Sequence, residues 1–138
     1  MEIKKMYIDG EWTEGTSGKL IDSINPATGE VIAQVYESSL EDTNRAIAAA
    51  KKSFYVTREW RDMDSQQRGD ILLKIADTIE KYLPELAKLD AIDNGKPLRE
   101  AEGDVDDGLH TFRYYASLIK APSASTALAF GLRYGNSS

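Results

Sequence analysis

The sequence predicts an α/β protein whose two kinds of element are segregated along the chain, so that taken by itself it reads as α+β. Short antiparallel strands and hairpins come first and a helical, bundle-like layer follows. Three observations carry this. Within residues 5–35, β-branched and aromatic residues cluster around turn-forming pairs; from Ser39 onward, apolar residues recur every three or four positions. The third is composition: 41% apolar and 29% charged residues over 138 positions are the balance of one ordinary globular domain.

The strand signals occupy residues 5–35. Met6, Ile8 and Trp12 flank Asp9-Gly10, a pair that readily supplies the positive φ angles of a tight two-residue turn, so its role is conformational before it is chemical. Leu20-Ile21-Asp22-Ser23-Ile24 and Glu30-Val31-Ile32-Ala33-Gln34-Val35 surround Asn25-Pro26-Ala27-Thr28-Gly29 and mark a second hairpin-like unit. Gly15-Thr16-Ser17-Gly18-Lys19 carries the glycines and lysine of a phosphate loop without the glycine spacing or the following Ser/Thr, and reads as a turn.

Helices are expected within residues 40–120. Ser39, with Asp42 three residues on, is a capping arrangement for a helix whose Ile47, Ala50 and Phe54 share a core-facing side. Asp64 with Gln67 opens a second helix, with Ile71, Leu72, Ile75, Ile79 and Leu83 as its apolar stripe. Pro84 ends or kinks that helix and suits the first turn of the next, which Asn94-Gly95 closes through a left-handed residue. Pro97 opens the last helix, expected to bend near Gly103 and run to Lys120. Trp60-Arg61 reads as a packed loop anchor, and Phe112, Tyr114 and Tyr115 as an aromatic patch packed on a neighbouring layer.

Composition excludes several functions. Seventeen basic and twenty-three acidic residues give a net charge of -6, with no basic cluster larger than pairs such as Lys51-Lys52, so a nucleic-acid surface is not expected. The start of the chain lacks the apolar core of a signal peptide, and nowhere do eighteen apolar residues run together, which points to a cytoplasmic protein with no membrane partner. There is no cysteine, hence no disulfide, thiolate metal site or thiol nucleophile in these residues. His110, the single histidine, has no nucleophile or second ligand patterned around it and reads as a helix-surface or satisfied core residue.

Two acidic features bear on chemistry. Asp104 and Asp107 stand three apart, so on a helix both carboxylates project from one face, with Glu100 and Glu102 upstream. In a partly dry setting they attract a cation such as a protonated amine or a quaternary ammonium group; on an open surface they are a solvated acidic face near a helix N-terminus. Asp93, in the last turn of a helix, opposes the backbone dipole and calls for a compensating cation or a donor such as a backbone amide.

Five stretches together resemble a known family: Tyr7-Ile8-Asp9-Gly10-Glu11-Trp12, Asn25-Pro26-Ala27-Thr28-Gly29-Glu30, Asp93-Asn94-Gly95-Lys96-Pro97, Asp104-Val105-Asp106-Asp107 and Phe112-Arg113-Tyr114-Tyr115-Ala116. In order and spacing they are similar to the amino-terminal quarter of NAD(P)-dependent aldehyde dehydrogenases, over about residues 1–120. The resemblance implies part of a Rossmann-like cofactor domain, in a family that oxidises aldehydes to carboxylic acids through a cysteine thiolate. The Asp-x-Asp-Asp sequence looks like that of betaine and amino-aldehyde dehydrogenases, which implies that Asp104 and Asp107 meet the cationic end of the aldehyde along the substrate tunnel. It also implies a sodium or potassium ion held by Asp93 and the main-chain carbonyl of Ile24, the rest of the site coming from later sequence.

Residues 121–138 depart from the family pattern and are expected to be a divergent, weakly ordered tail, from truncation, frame shift or engineering, or else a native tail that pairs with a partner. The thiolate, the general base and any glycine-rich dinucleotide fingerprint are missing from the sequence. The expectation is therefore an aldehyde dehydrogenase segment that is inactive alone and holds no cofactor. The alternative is a stand-alone helical module that self-associates, or binds another chain, through apolar helix faces.

Overall fold

The structure, a computed structural model, describes residues 2–121. Five short strands lead: β1 (Ile3–Lys4), β2 (Met6–Ile8), β3 (Glu11–Thr13), β4 (Leu20–Ile24) and β5 (Val31–Tyr36). Helices follow: α1 (Leu40–Lys52), a π-helical turn (Ser53–Thr57), then α2 (Glu59–Asp62), α3 (Ser65–Lys81), α4 (Leu83–Asn94) and α5 (Leu98–Lys120).

β2 and β3 form an antiparallel hairpin with Tyr7 opposite Trp12. Its turn works as the sequence suggests, with Asp9 at φ 52° and Gly10 at φ 86°, the two left-handed residues that match a turn to the twist of its strands. β4 and β5 pair antiparallel across the Asn25 turn, with an irregularity at Ser23 and Ile24. In that turn the Asn25 side chain accepts from the Ala27 amide at 2.9 Å. β1 joins the other side of β5 in parallel, a pairing for which its two residues carry no sequence signal.

Both capping boxes form, Ser39 with Asp42 on α1 and Asp64 with Gln67 on α3. Pro84 sits in the first turn of α4, and Gly95 closes that helix at φ 80°, its amide donating to Ala91 O at 3.0 Å. The expected bend at Gly103 does not interrupt α5, which is one helix from Leu98 to Lys120: a single glycine weakens a helix without breaking it when tertiary packing holds both sides.

The core is a seam between α5 and its neighbours α3 and α4. Ala76 on α3, Ala87 on α4, and Ala101, Leu109 and Ala116 on α5 are fully buried; alanines let backbones approach closely, and Leu109 is the one large apolar side chain wholly enclosed among the described residues. Gly69 belongs to this seam, since a Cβ there would lie 2.6 Å from the Lys120 side chain. Charges brace the seam. Arg113 on α5 donates to Glu80 at 2.6 Å and Asp77 at 3.2 Å on α3, and Lys120 pairs with Asp70.

Other packing expectations are corrected. The α1 stripe is not a core face, because Ile47 and Phe54 are about half exposed and Ala50 is open. Trp60 anchors no loop: it lies on α2 and is 46% exposed. Ile75 also faces outward, Ala76 taking the seam instead. Tyr114 and Tyr115 are exposed and pack edge-on against each other rather than on another layer. For the two helix stripes periodicity identified an apolar face, and for Trp60 and the tyrosines residue type suggested packing, but exposure shows these side chains largely uncovered among the described residues.

Candidate functional site

The hairpin turn and the end of α4 come together. Ser23 Oγ donates to Asp93 Oδ1 at 2.6 Å, and a Cβ on Gly95 would meet Pro26 Cγ at 2.7 Å. Two motifs about seventy residues apart in the chain thus form one junction. Asp93 obtains the donor that its place at a helix C-terminus demands, but from a hydroxyl on β4 rather than a backbone amide. Ile24, next to Ser23, is 52% exposed and paired with Val31 across the hairpin. Among the described residues no three His, Asp or Glu side chains converge to hold a metal ion, and one Asp93 oxygen is already taken. Asp93 and Ile24 are thus brought to one junction, short of the full ligand set that the resemblance draws in part from later sequence.

From this junction the chain passes through Lys96, which sequence reading left without a role. Its ammonium lies 2.5 Å from Asp104 and 3.0 Å from Asp90, tying the end of α4 to the first turns of α5. Asp104, then Asp90, hold the Lys96 ammonium above its ordinary pKa. The signal was out of reach because Lys96 lies in a non-periodic turn, where spacing says nothing about contacts.

Asp104 and Asp107 do share a face of α5, yet their surroundings differ. Asp104 is engaged by Lys96. Asp107 lines an open depression with His110, Thr111, Tyr114 and Tyr115, where the two tyrosine rings meet at 76° with centroids 5.3 Å apart. A carboxylate beside aromatic faces can attract an organic cation. His110 lies on the helix surface, its Nδ1 2.9 Å from Asp106 O.

A third cluster joins the loop after β3 to α1. Asp42 is fully buried, and its Oδ2 accepts from the Thr16 amide at 2.9 Å, the Ser39 hydroxyl at 2.9 Å and the Ser39 amide at 3.1 Å. The Thr16 amide, then the two Ser39 donors, lower the Asp42 carboxyl to about 2 despite burial. Oδ1 has no hydrogen-bond partner, its nearest cation being Arg45 at 3.6 Å.

The sequence pattern of the Aldehyde dehydrogenase family matches residues 12–132. The chain belongs to the aldehyde dehydrogenase family. It is 43% identical over 113 residues to betaine aldehyde dehydrogenase of Bacillus subtilis, an alignment covering 82% of this chain and 23% of the relative. It is 37% identical over 137 residues to aminoacetaldehyde dehydrogenase of Pseudomonas aeruginosa, covering 94% and 27%. Among solved structures, betaine aldehyde dehydrogenase of Staphylococcus aureus in complex with NAD+ superposes with a TM-score of 0.82 at 40% identity, covering 86% of this chain and 24% of that one. The chain thus spans about a quarter of the length of these relatives, and the α/β fold expected from sequence is the fold found.

The described residues do not themselves fit a dinucleotide. Their one strand-to-helix passage is from β5 to α1, and there the helix N-terminus is filled by the buried Asp42 carboxylate where a pyrophosphate would need free amides. No helix among them is long and apolar enough to cross a membrane.

Proposed function

We propose that this chain is the amino-terminal structural segment of an aldehyde dehydrogenase acting on betaine- or amino-aldehyde-like substrates, and that it does not oxidise aldehydes by itself. One observation carries the reading: the family's thiolate chemistry needs a cysteine, and the 138 residues contain none. The occupied α1 N-terminus supports it from the cofactor side. In the completed enzyme, the nucleophile, the general base and the nicotinamide site come from later segments. This part contributes the packed α3–α5 layer and one wall of the substrate tunnel.

On that wall Asp107, open beside Tyr114 and Tyr115, meets the cationic end of the aldehyde. Asp104 acts more weakly because Lys96 already neutralises it. Incubating the purified, mass-verified chain with betaine aldehyde and NAD is expected to give no rise in NADH absorbance. Sustained turnover that co-purifies with the chain would overturn this reading.

A second reading, a stand-alone interaction module, has its own support in uncovered apolar side chains such as Trp12 at 70%, Val56 at 74% and Leu89 at 57% exposure. Side chains of this kind are ordinarily covered by a partner when they form one continuous surface.

A further inference from the structure

Asn94 and Gly95 stand together at the end of α4, each for a reason of its own. Gly95 is fixed by the backbone: its φ of 80° is the left-handed conformation that favours glycine, and a Cβ there would lie 2.7 Å from Pro26 Cγ. Asn94 is the last residue of the helix, and its side chain is held at both ends. Asn94 Nδ2 donates to Asp90 Oδ1 at 2.7 Å, and Asn94 Oδ1 accepts from the Lys96 amide at 2.8 Å.

This pairing of residues has a chemistry of its own. With glycine after asparagine, no side chain shields the next backbone nitrogen, which can attack the asparagine Cγ. A bond forms between Gly95 N and Asn94 Cγ, the Cγ to Nδ2 bond breaks, and ammonia leaves with the Gly95 amide proton. Water then opens the succinimide at either carbonyl, to leave aspartate or, with the backbone rerouted through the side chain, isoaspartate. Water is the only co-reactant, and both residues are exposed to it.

In the folded chain the reacting atoms are held apart from this path. The attacking nitrogen donates to Ala91 O at 3.0 Å, the leaving nitrogen is tied to Asp90, and the carbonyl oxygen to Lys96. Ring closure also takes Asn94 out of the helical backbone in which α4 ends. That end is in turn pinned to the hairpin of β4 and β5, by the Ser23 hydroxyl on Asp93 at 2.6 Å and by Pro26 against Gly95.

We infer that Asn94-Gly95 is a site of spontaneous deamidation, locked while the end of α4 sits on the hairpin and released when that junction opens. Conversion runs one way. Either product loses the donor to Asp90 and adds a carboxylate near Asp90 and Asp93 at a helix C-terminus, where the backbone dipole opposes it. Isoaspartate also lengthens the backbone by a methylene, which moves Gly95 off Ala91 and Pro26. A junction that has opened long enough to convert is weaker afterwards, so the site records its opening.

The test follows the mass and isoaspartate content of the tryptic peptide carrying Asn94, in the 138-residue chain held at mildly alkaline pH, folded and in guanidinium. Three hydrogen bonds of ordinary net strength must break first, so the folded chain is expected to convert on the order of a hundredfold more slowly than the unfolded one. Ser23→Ala, which frees Asp93 without touching Asn94, is expected to speed conversion of the folded chain about fivefold. Pro26→Ala, on the exposed turn, acts in the same direction, and circular dichroism checks that each variant is folded. Asn94→Asp, the direct product, is expected to lower the thermal midpoint by a few degrees. Equal rates in the folded and unfolded chain overturn the lock. Conversion at the unaltered rate in both hairpin variants overturns the junction as its gate, and an unchanged midpoint for Asn94→Asp overturns the weakening.

Discussion

At the scale of single residues, Asp42 shows how much one carboxylate can organise. Donors from Thr16 and Ser39 converge on one oxygen, so the loop between β3 and β4 is fastened to the first turn of α1. Gly15 passes so close that a Cβ there would strike Met6 and come within 2.9 Å of Asp42 Oδ2. Because these donors favour the ionised form, the folded-state pKa is about 2 against an ordinary 3.8. The contribution to stability is complete above pH 3.8 and is lost as the pH falls through about 2. Asp42→Asn is expected to lower the thermal midpoint by several degrees at pH 7 and to flatten the stability profile below pH 4. Melts followed by circular dichroism across that range check it, and a parallel profile for both proteins would contradict the assignment. The Ser39 half of this cluster was legible as a capping box because it spans three residues. Thr16 was not, being twenty-six residues away with no periodic relation to Asp42.

Among elements, α5 organises the helical layer. Its buried positions 101, 109 and 116 lie seven and eight apart, the spacing of one helix face, and that face meets α3 and α4 together. Leu109→Ala removes the only wholly enclosed large apolar side chain among the described residues and is expected to cost about 2–5 kcal/mol. In a segment with so small a core, that loss appears as a collapsed urea midpoint; a change below about 1 kcal/mol would mean the seam is not the stabilising core. The helices themselves were readable from caps and apolar spacing. Which of their faces would be covered was not, because a stripe such as Ile47, Ala50 and Phe54 records only that a face is apolar, and coverage depends on elements elsewhere.

At the scale of the molecule, family membership and incomplete coverage by the core fit together: a segment matching about a quarter of its relatives has apolar faces with nothing across them among the described residues. Asp104 and Asp107 can be tested only in the completed enzyme. With the downstream segments of a betaine aldehyde dehydrogenase joined to this chain, Asp107→Asn is expected to reduce kcat/KM several-fold for cationic aldehydes and little for neutral ones. Asp104→Asn acts less, because Lys96 shields that carboxylate; equal losses on both substrate types would reject the recognition role.

Sequence by itself determined that strands precede helices, the Asp9-Gly10 turn, both capping boxes, the Gly95 stop and the family, because each is written in local spacing or in a contiguous motif. Tertiary structure alone decided that Ser23 answers Asp93, that Lys96 takes Asp104 from its neighbour Asp107, that β1 runs parallel to β5, and that the α1 stripe stands uncovered. Those outcomes depend on which distant groups arrive at the same place, and contacts across tens of residues leave no periodicity in the chain.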